Sequence, residues 1–323
     1  MPSITLTGSG TAPSAVLSPA SLSFANQLVN TSSAAQALTL SNTGMAALTV
    51  NSIGVTGDFS QTNNCGTTLA SGAACAINVV FTPTATGARS GSLTLSGNSN
   101  GTVSPILLNG TGGTPSASLS PAALSFANQA VGSTSAVQTA SLSNTGTAVL
   151  TINSITATGD FTQSNNCGTS LAASATCTIS IAFNPTASGI RAGSLSINDN
   201  SSIGSVQTAS LTGTGVDFSI SASPASITTN AGKTVNYTVT LNSLGASFGS
   251  PVSLSCSGLP AAASCSFLPA SVTPGSTAVS STLQLVTTSR NKVSGTPAGT
   301  YTVTITGTSG SVHHSTTVRL IVN

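Results

Sequence analysis

The sequence predicts an all-β protein made of tandem immunoglobulin-like β-sandwiches, about seven strands each, with one local disulfide per domain. Three observations carry that prediction. A segment of about a hundred residues occurs twice, its apolar residues alternate at period 2 between turn-forming clusters, and the cysteines fall as one pair per unit.

The repeat comes first, because an overlooked period would misassign every element after it. LSPASLSFANQ, which contains Phe24, returns as LSPAALSFANQ with Phe126, an offset of 102. Asp58, Phe59, Cys65, Cys75, Phe81, Pro83, Gly87 and Arg89 return at the same offset as Asp160, Phe161, Cys167, Cys177, Phe183, Pro185, Gly189 and Arg191. The closing segments ILLNGTGG and ASLTGTGV end the two copies, the second copy being one residue longer. After Gly215 the spacing changes and a third unit of similar length begins. The expected divisions are 1–11, 12–113, 114–215 and 216–323, joined by short Gly-Thr linkers. ITLTGSGTAPS, which begins within the first of these at Ile4, matches LLNGTGGTPS at the end of repeat one. Residues 4–10 therefore read as the last strand of an upstream repeat, with Ile4 and Leu6 alternating on its apolar face.

Within a repeat, Leu38 and Leu40, Leu48 and Val50, Ile77, Val79 and Phe81, and Leu93 and Leu95 alternate with small polar residues. That is the signature of strands with one buried face. SNTG, TPTATG and SGNSNG lie between them, and their Gly, Asn and Pro suit turns. Roughly seven strands with a turn every 8–12 residues is the immunoglobulin-sandwich pattern. In unit three the clearest strands are VNYTVTLN, PVSLSCS, STLQLVTT, GTYTVTITGT and HSTTVRLIVN.

Each unit holds one cysteine pair: Cys65 with Cys75, Cys167 with Cys177, and Cys256 with Cys265. Even number and constant spacing point to disulfides and to an oxidising compartment. In the repeats the bridge is expected to clamp a local loop to the start of the next strand rather than to join sheets. Zinc requires four converging N or S ligands with closely spaced cysteines, and units one and two contain no histidine. Redox-active thiols need an electropositive neighbour, and no Lys, Arg or His lies within ten residues of any cysteine.

Charge restricts the chemistry further. Among 323 residues there are six Lys or Arg, four Asp and no Glu, so charged residues are 3% where about 25% is usual. Water is faced instead by 58 Ser and 51 Thr. A formal charge of +2 spread over three units does not supply the phosphate contacts of a nucleic-acid binder or a polybasic membrane patch. No apolar run reaches the length of a membrane span, and the residues after Met1 do not read as a signal peptide. Asp58 and Asp160 occupy one position in successive repeats, which keeps them apart. Asp199 reads as a turn residue and Asp217 as part of a linker. One Asp per repeat is too few for calcium. His313 and His314 are adjacent, so on a strand they face opposite ways, and neither has an acidic neighbour in sequence. Arg89 and Arg191 are expected to cover the sandwich ends and bond loop carbonyls. Tyr237 and Tyr301 alternate with Val and read as core or core edge. Lys233 and Lys292 lack the buried glutamate an isopeptide bond would use. No catalytic, metal or cofactor residues are assigned.

These pieces, LSPASLSFANQ, LSNTG, GDF, NNC, LASGAACAINVVFTPTATGARSGSLTL and LNGTG, resemble the bacterial choice-of-anchor D repeat, related to the Hydin and abnormal-spindle class of immunoglobulin-like domains. The resemblance covers units one and two. Unit three is similar to immunoglobulin-like modules at the ends of secreted bacterial proteins. It implies sandwiches in exported, often surface-attached proteins, where such modules act as spacers or adhesive stalks. The expected function is accordingly a non-catalytic extracellular or cell-surface spacer. The alternatives are a filament subunit that donates the strand bearing Ile4 and Leu6 to a neighbouring copy, and an adhesin that binds glycan or protein through loop tips. Expected partners are neighbouring copies, adjacent domains of a longer array, or a cell-surface protein or glycan. Nucleic acid and membrane insertion are excluded, and no cofactor is expected.

Overall fold

A strand with one apolar face needs a second sheet to bury it, and this chain meets that need three times. The structure, a computed structural model, describes residues 3–8, 10–291 and 294–323; Ser9, within the expected terminal strand, and Lys292 lie outside them. Among the described residues every regular element is a strand.

Unit one contains β1 (Ala15–Ser18), β2 (Ser21–Leu28), β3 (Gln36–Asn42), β4 (Leu48–Val55), β5 (Phe59–Asn63), β6 (Thr68–Leu69), β7 (Ala74–Phe81), β8 (Gly87–Gly97) and β9 (Ile106–Gly113). One sheet has the order β1-β3-β7-β5 and the other β2-β9-β8-β4-β6. The chain leaves the first sheet at Pro19 and joins the second, where β2 runs parallel to β9. Inward side chains of both sheets form the core, in which Phe24, Phe59 and Phe81 cluster with ring centroids 4.9 to 5.8 Å apart.

Unit two repeats this with β10 (Ala117–Ser120), β11 (Ala123–Ser125), β12 (Gln129–Ala130), β13 (Gln138–Asn144), β14 (Leu150–Ala157), β15 (Phe161–Asn165), β16 (Ser170–Leu171), β17 (Thr176–Phe183) and β18 (Gly189–Asp199), closed by β19 (Val206–Ser223). Phe126, Phe161 and Phe183 form the matching cluster.

Unit three adds β20 (Ser226–Thr229), β21 (Thr234–Leu244), β22 (Val252–Ser257), β23 (Ala263–Leu268), β24 (Ser271–Val272), β25 (Val279–Thr287), β26 (Gly299–Ser309) and β27 (Val312–Val322). Its sheets have the orders β19-β21-β25-β23 and β20-β27-β26-β22-β24, which match unit one strand for strand. The sheet switch recurs too, since β20 runs parallel to β27. Tyr237 is fully buried and donates its hydroxyl to the Arg319 carbonyl at 2.6 Å, while half-buried Tyr301 donates to that of Pro297. Burial pushes the Tyr237 phenol above its ordinary value.

The passage from unit two to unit three is not a linker. β19 pairs with β18 as far as Gly215 and with β21 from Asp217 onward, so one strand closes a sandwich and opens the next. The result is a single nine-stranded sheet, seven strands in the order β16-β14-β18-β19-β21-β25-β23 with β11 and β12 also paired to β19. Its glycines are there for packing: a Cβ on Gly213 would sit 2.6 Å from the Phe183 ring, and one on Gly215 would sit 2.9 Å from Pro185. Gly245, at φ +87°, lies against the backbone of Gly189 and Gly215, and Ala130 packs on the core of unit three.

Candidate functional site

The residues with chemical potential are used here as ties. Cys65 follows β5 and bonds Cys75 on the neighbouring strand β7, with Cα atoms 4.9 Å apart, and Cys167 and Cys177 repeat the arrangement at 4.9 Å. Each of these bridges ties the loop that follows β5 or β15 to the start of β7 or β17. Unit three differs. Cys256 lies on β22 and Cys265 on β23, strands of opposite sheets, so this bridge (Cα–Cα 6.8 Å) joins the two layers. It is local in sequence but not in the fold. Among the described residues no cysteine is free. A loop of about ten residues corresponds to roughly 2.5–3 kcal/mol per bridge in the chain-entropy picture.

The second tie joins Asp58, before β5, to Arg89 on β8. The Arg89 Nε donates to Asp58 Oδ2 at 2.5 Å, and the same carboxylate accepts the Thr84 N–H (3.1 Å) and hydroxyl (3.0 Å). Asp160, Thr186 and Arg191 repeat this, again with 2.5 Å between ions. The arginines thus hold a carboxylate rather than the loop carbonyls expected, because the fold brings positions 31 residues apart to one sandwich end. The Arg89 hydrogen bond, followed by the Thr84 N–H, holds the Asp58 carboxyl down at about 2. Arg191 lowers Asp160 in the same way.

A carboxyl lowered on folding stabilises the fold above its ordinary value of about 4, and that stabilisation is lost as pH falls toward 2. Thermal melts between about pH 4 and pH 2 should therefore show units one and two losing stability more steeply in the wild type than in the double variant Asp58→Asn/Asp160→Asn. Equal slopes would show that the clasps contribute nothing.

The remaining acidic residues differ from their sequence reading. Asp217 lies within β19, and its Oδ1 is 2.8 Å from His314 Nε2, while the His314 ring stands edge-on to Phe218 with centroids 5.0 Å apart. His314 therefore does have an acidic neighbour, brought 97 residues along the chain by the packing of β27 beside β19, and only His313 is fully solvent-facing. Asp199 is not a turn residue but ends β18 and is 2% exposed. Its Oδ1 accepts the Ser201 N–H at 2.8 Å, and its Oδ2 has no partner among the described residues.

Two structural residues escaped the sequence reading. Asn42, 1% exposed, donates its amide to the Ala46 and Leu69 carbonyls and accepts from the Ser14 and Gly44 N–H groups. Asn144 makes the equivalent bonds. The signal was present as the twice-occurring LSNTG, which reads as an ordinary turn.

Ile4 and Leu6 are 86% and 94% exposed, and residues 3–8 form no strand. They have no sheet neighbour among the described residues. Among the described residues no three His, Cys, Asp or Glu side chains gather as a metal site.

Over 95% of this chain and 98% of the other, the structure is similar to the I9–I11 tandem of titin (10% identity, TM-score 0.33). It is also similar to invasin, a bacterial integrin-binding protein, over 96% of this chain and 60% of that one (14% identity, TM-score 0.32). A protein of unknown function from Porphyromonas gingivalis W83 matches over 62% of this chain and 99% of its own (15% identity, TM-score 0.29). No curated protein matches the sequence. Residues 20–111 and 115–215, about three fifths of the chain, match one family, and the chain belongs to it: the HYDIN/CFA65/VesB-like, Ig-like domain family.

Proposed function

We propose that this protein is a non-catalytic extracellular spacer, an array of sandwiches that holds what it carries at a set separation. The observation that carries this reading is β19, which passes from unit two into unit three without a linker and gives both modules one sheet. A hinge would need a flexible segment between modules, and Gly213 and Gly215 are instead fixed by close packing. The few charged groups support the same reading. Asp58 and Asp160 are committed to arginines, Asp217 faces His314, and Asp199 is buried, which leaves no adjacent carboxylate pair for acid–base work.

The three bridges favour an oxidising compartment, outside the cell or at its surface. Peptide mapping of protein from its native source, with thiols blocked at lysis, should return Cys65–Cys75, Cys167–Cys177 and Cys256–Cys265 without reduction. Free thiols throughout would contradict the extracellular reading.

A further inference from the structure

The N-terminal end of unit one has the features of a junction whose other half is not among the described residues. In a closing strand of this fold, four positions meet the rest of the sandwich. In β9 they are Ile106 and Leu108, which point into the core at 3% and 0% exposure, and Gly110 and Gly112. A Cβ on Gly110 would lie 2.5 Å from the Phe81 ring, and one on Gly112 would lie 2.9 Å from Pro83. β19 uses Ala209, Leu211, Gly213 and Gly215 in the same way. The N-terminal segment carries Ile4, Leu6, Gly8 and Gly10 at the same spacing, followed by Pro13, Ser14 and Ala15 where unit two has Pro115, Ser116 and Ala117. Among the described residues they pack on nothing: Ile4 and Leu6 face water, and no described atom lies within 4 Å of where a Cβ on Gly8 or Gly10 would be.

The second observation is independent of that spacing. The turn after β13 docks unit two on unit one. The Asn26 side-chain amide donates to the Thr147 carbonyl at 3.0 Å, and Gly113 is pressed against the turn, where a Cβ would be 2.9 Å from Thr147 Oγ1 and 3.1 Å from the Ala148 nitrogen. Ala148 is left 3% exposed. Unit one builds the same turn after β3. Met45 N–H donates to the Ala12 carbonyl (3.1 Å) as Thr147 N–H donates to that of Thr114 (2.9 Å), and Gly44 lies against Ala12 and Ser14 as Gly146 lies against Thr114 and Ser116. No described residue covers it: Met45 is 78% exposed and Ala46 is half-buried.

We infer that this end of unit one, with residues 4–10, is the docking face for a further sandwich of the same kind, and that residues 4–10 are that sandwich's closing strand. The strand would run on into unit one as β9 leads into unit two, and the added module would sit on the Met45 turn. This does not depend on the spacer reading, since a binding array would extend in the same way.

The test places a second copy of residues 12–105, carrying Met45→Leu, directly ahead of Ile4 in the full chain. Residues 4–10 then stand where 106–112 stand in unit one. Hydrogen exchange of residues 4–10 should slow at least about a thousandfold relative to the parent chain, as expected when amides exchange only through opening of a folded unit. Peroxide oxidation of the original Met45 should slow as well. Gly8→Val should be silent in the parent chain, yet abolish both effects in the fusion by driving a side chain into the Phe81-equivalent ring. Unchanged exchange in the fusion, or a Gly8→Val fusion that is still protected, would overturn the inference. So would a parent chain that polymerises in sedimentation and stops on deletion of residues 1–11, because the acceptor would then be another copy.

Discussion

Phe81→Ala is expected to lower the stability of unit one by about 3–5 kcal/mol, the usual cost of removing a fully buried ring. Phe81 is 0% exposed, stacks on Phe59 at 4.9 Å and lies over Gly110 of the closing strand. Its removal opens a cavity between the sheets that the neighbouring rings cannot fill without leaving their own sites. In a unit of about a hundred residues that is a fall in melting temperature of roughly 15–30 °C. Phe183→Ala should cost unit two a similar amount, with a different reach. Unit two shares β19 with unit three and lends Ala130 to its core, so the melting of unit three should fall as well. Phe81→Ala should leave unit three unchanged. Calorimetry of both variants separates the cases. A Phe183→Ala protein whose unit three melts as in the wild type would show that the shared strand does not couple the modules.

The sequence revealed what lies on alternating residues and in the repeat. β3, β4, β7 and β8 were legible because their apolar residues recur at period 2, and the three bridges because the cysteines pair by unit. What it hid was decided by tertiary packing. Gly213 and Gly215 look like a flexible segment when read as letters, since nothing local shows that a phenylalanine ring and a proline occupy the space a side chain would need. The Cys256–Cys265 pair has nearly the spacing of the others, and only the strand order places its members on opposite sheets. Unit three shares few residues with the repeats yet has their topology, because a sandwich requires the alternation of apolar positions rather than particular side chains. The Asp217–His314 and Asp58–Arg89 contacts join residues too far apart in the chain for spacing to suggest them.

The second large effect is expected at the junction. Inserting four flexible residues, Gly-Gly-Ser-Gly, between Gly215 and Val216 should separate the two halves of β19. It would undo the close contact of Gly245 with Gly189 and Gly215 and withdraw Ala130 from the unit-three core. Each sandwich retains most of its own core, so the loss should appear as freedom between modules more than as unfolding. Pulsed dipolar spectroscopy between genetically encoded spin labels at Thr156 on β14 and Thr238 on β21, both exposed on the shared sheet, measures that freedom directly. The wild type should give a single narrow distance distribution and the insertion variant a broad one. A broad distribution in the wild type would mean that the modules swing independently, and the protein would not be the fixed-length spacer proposed here.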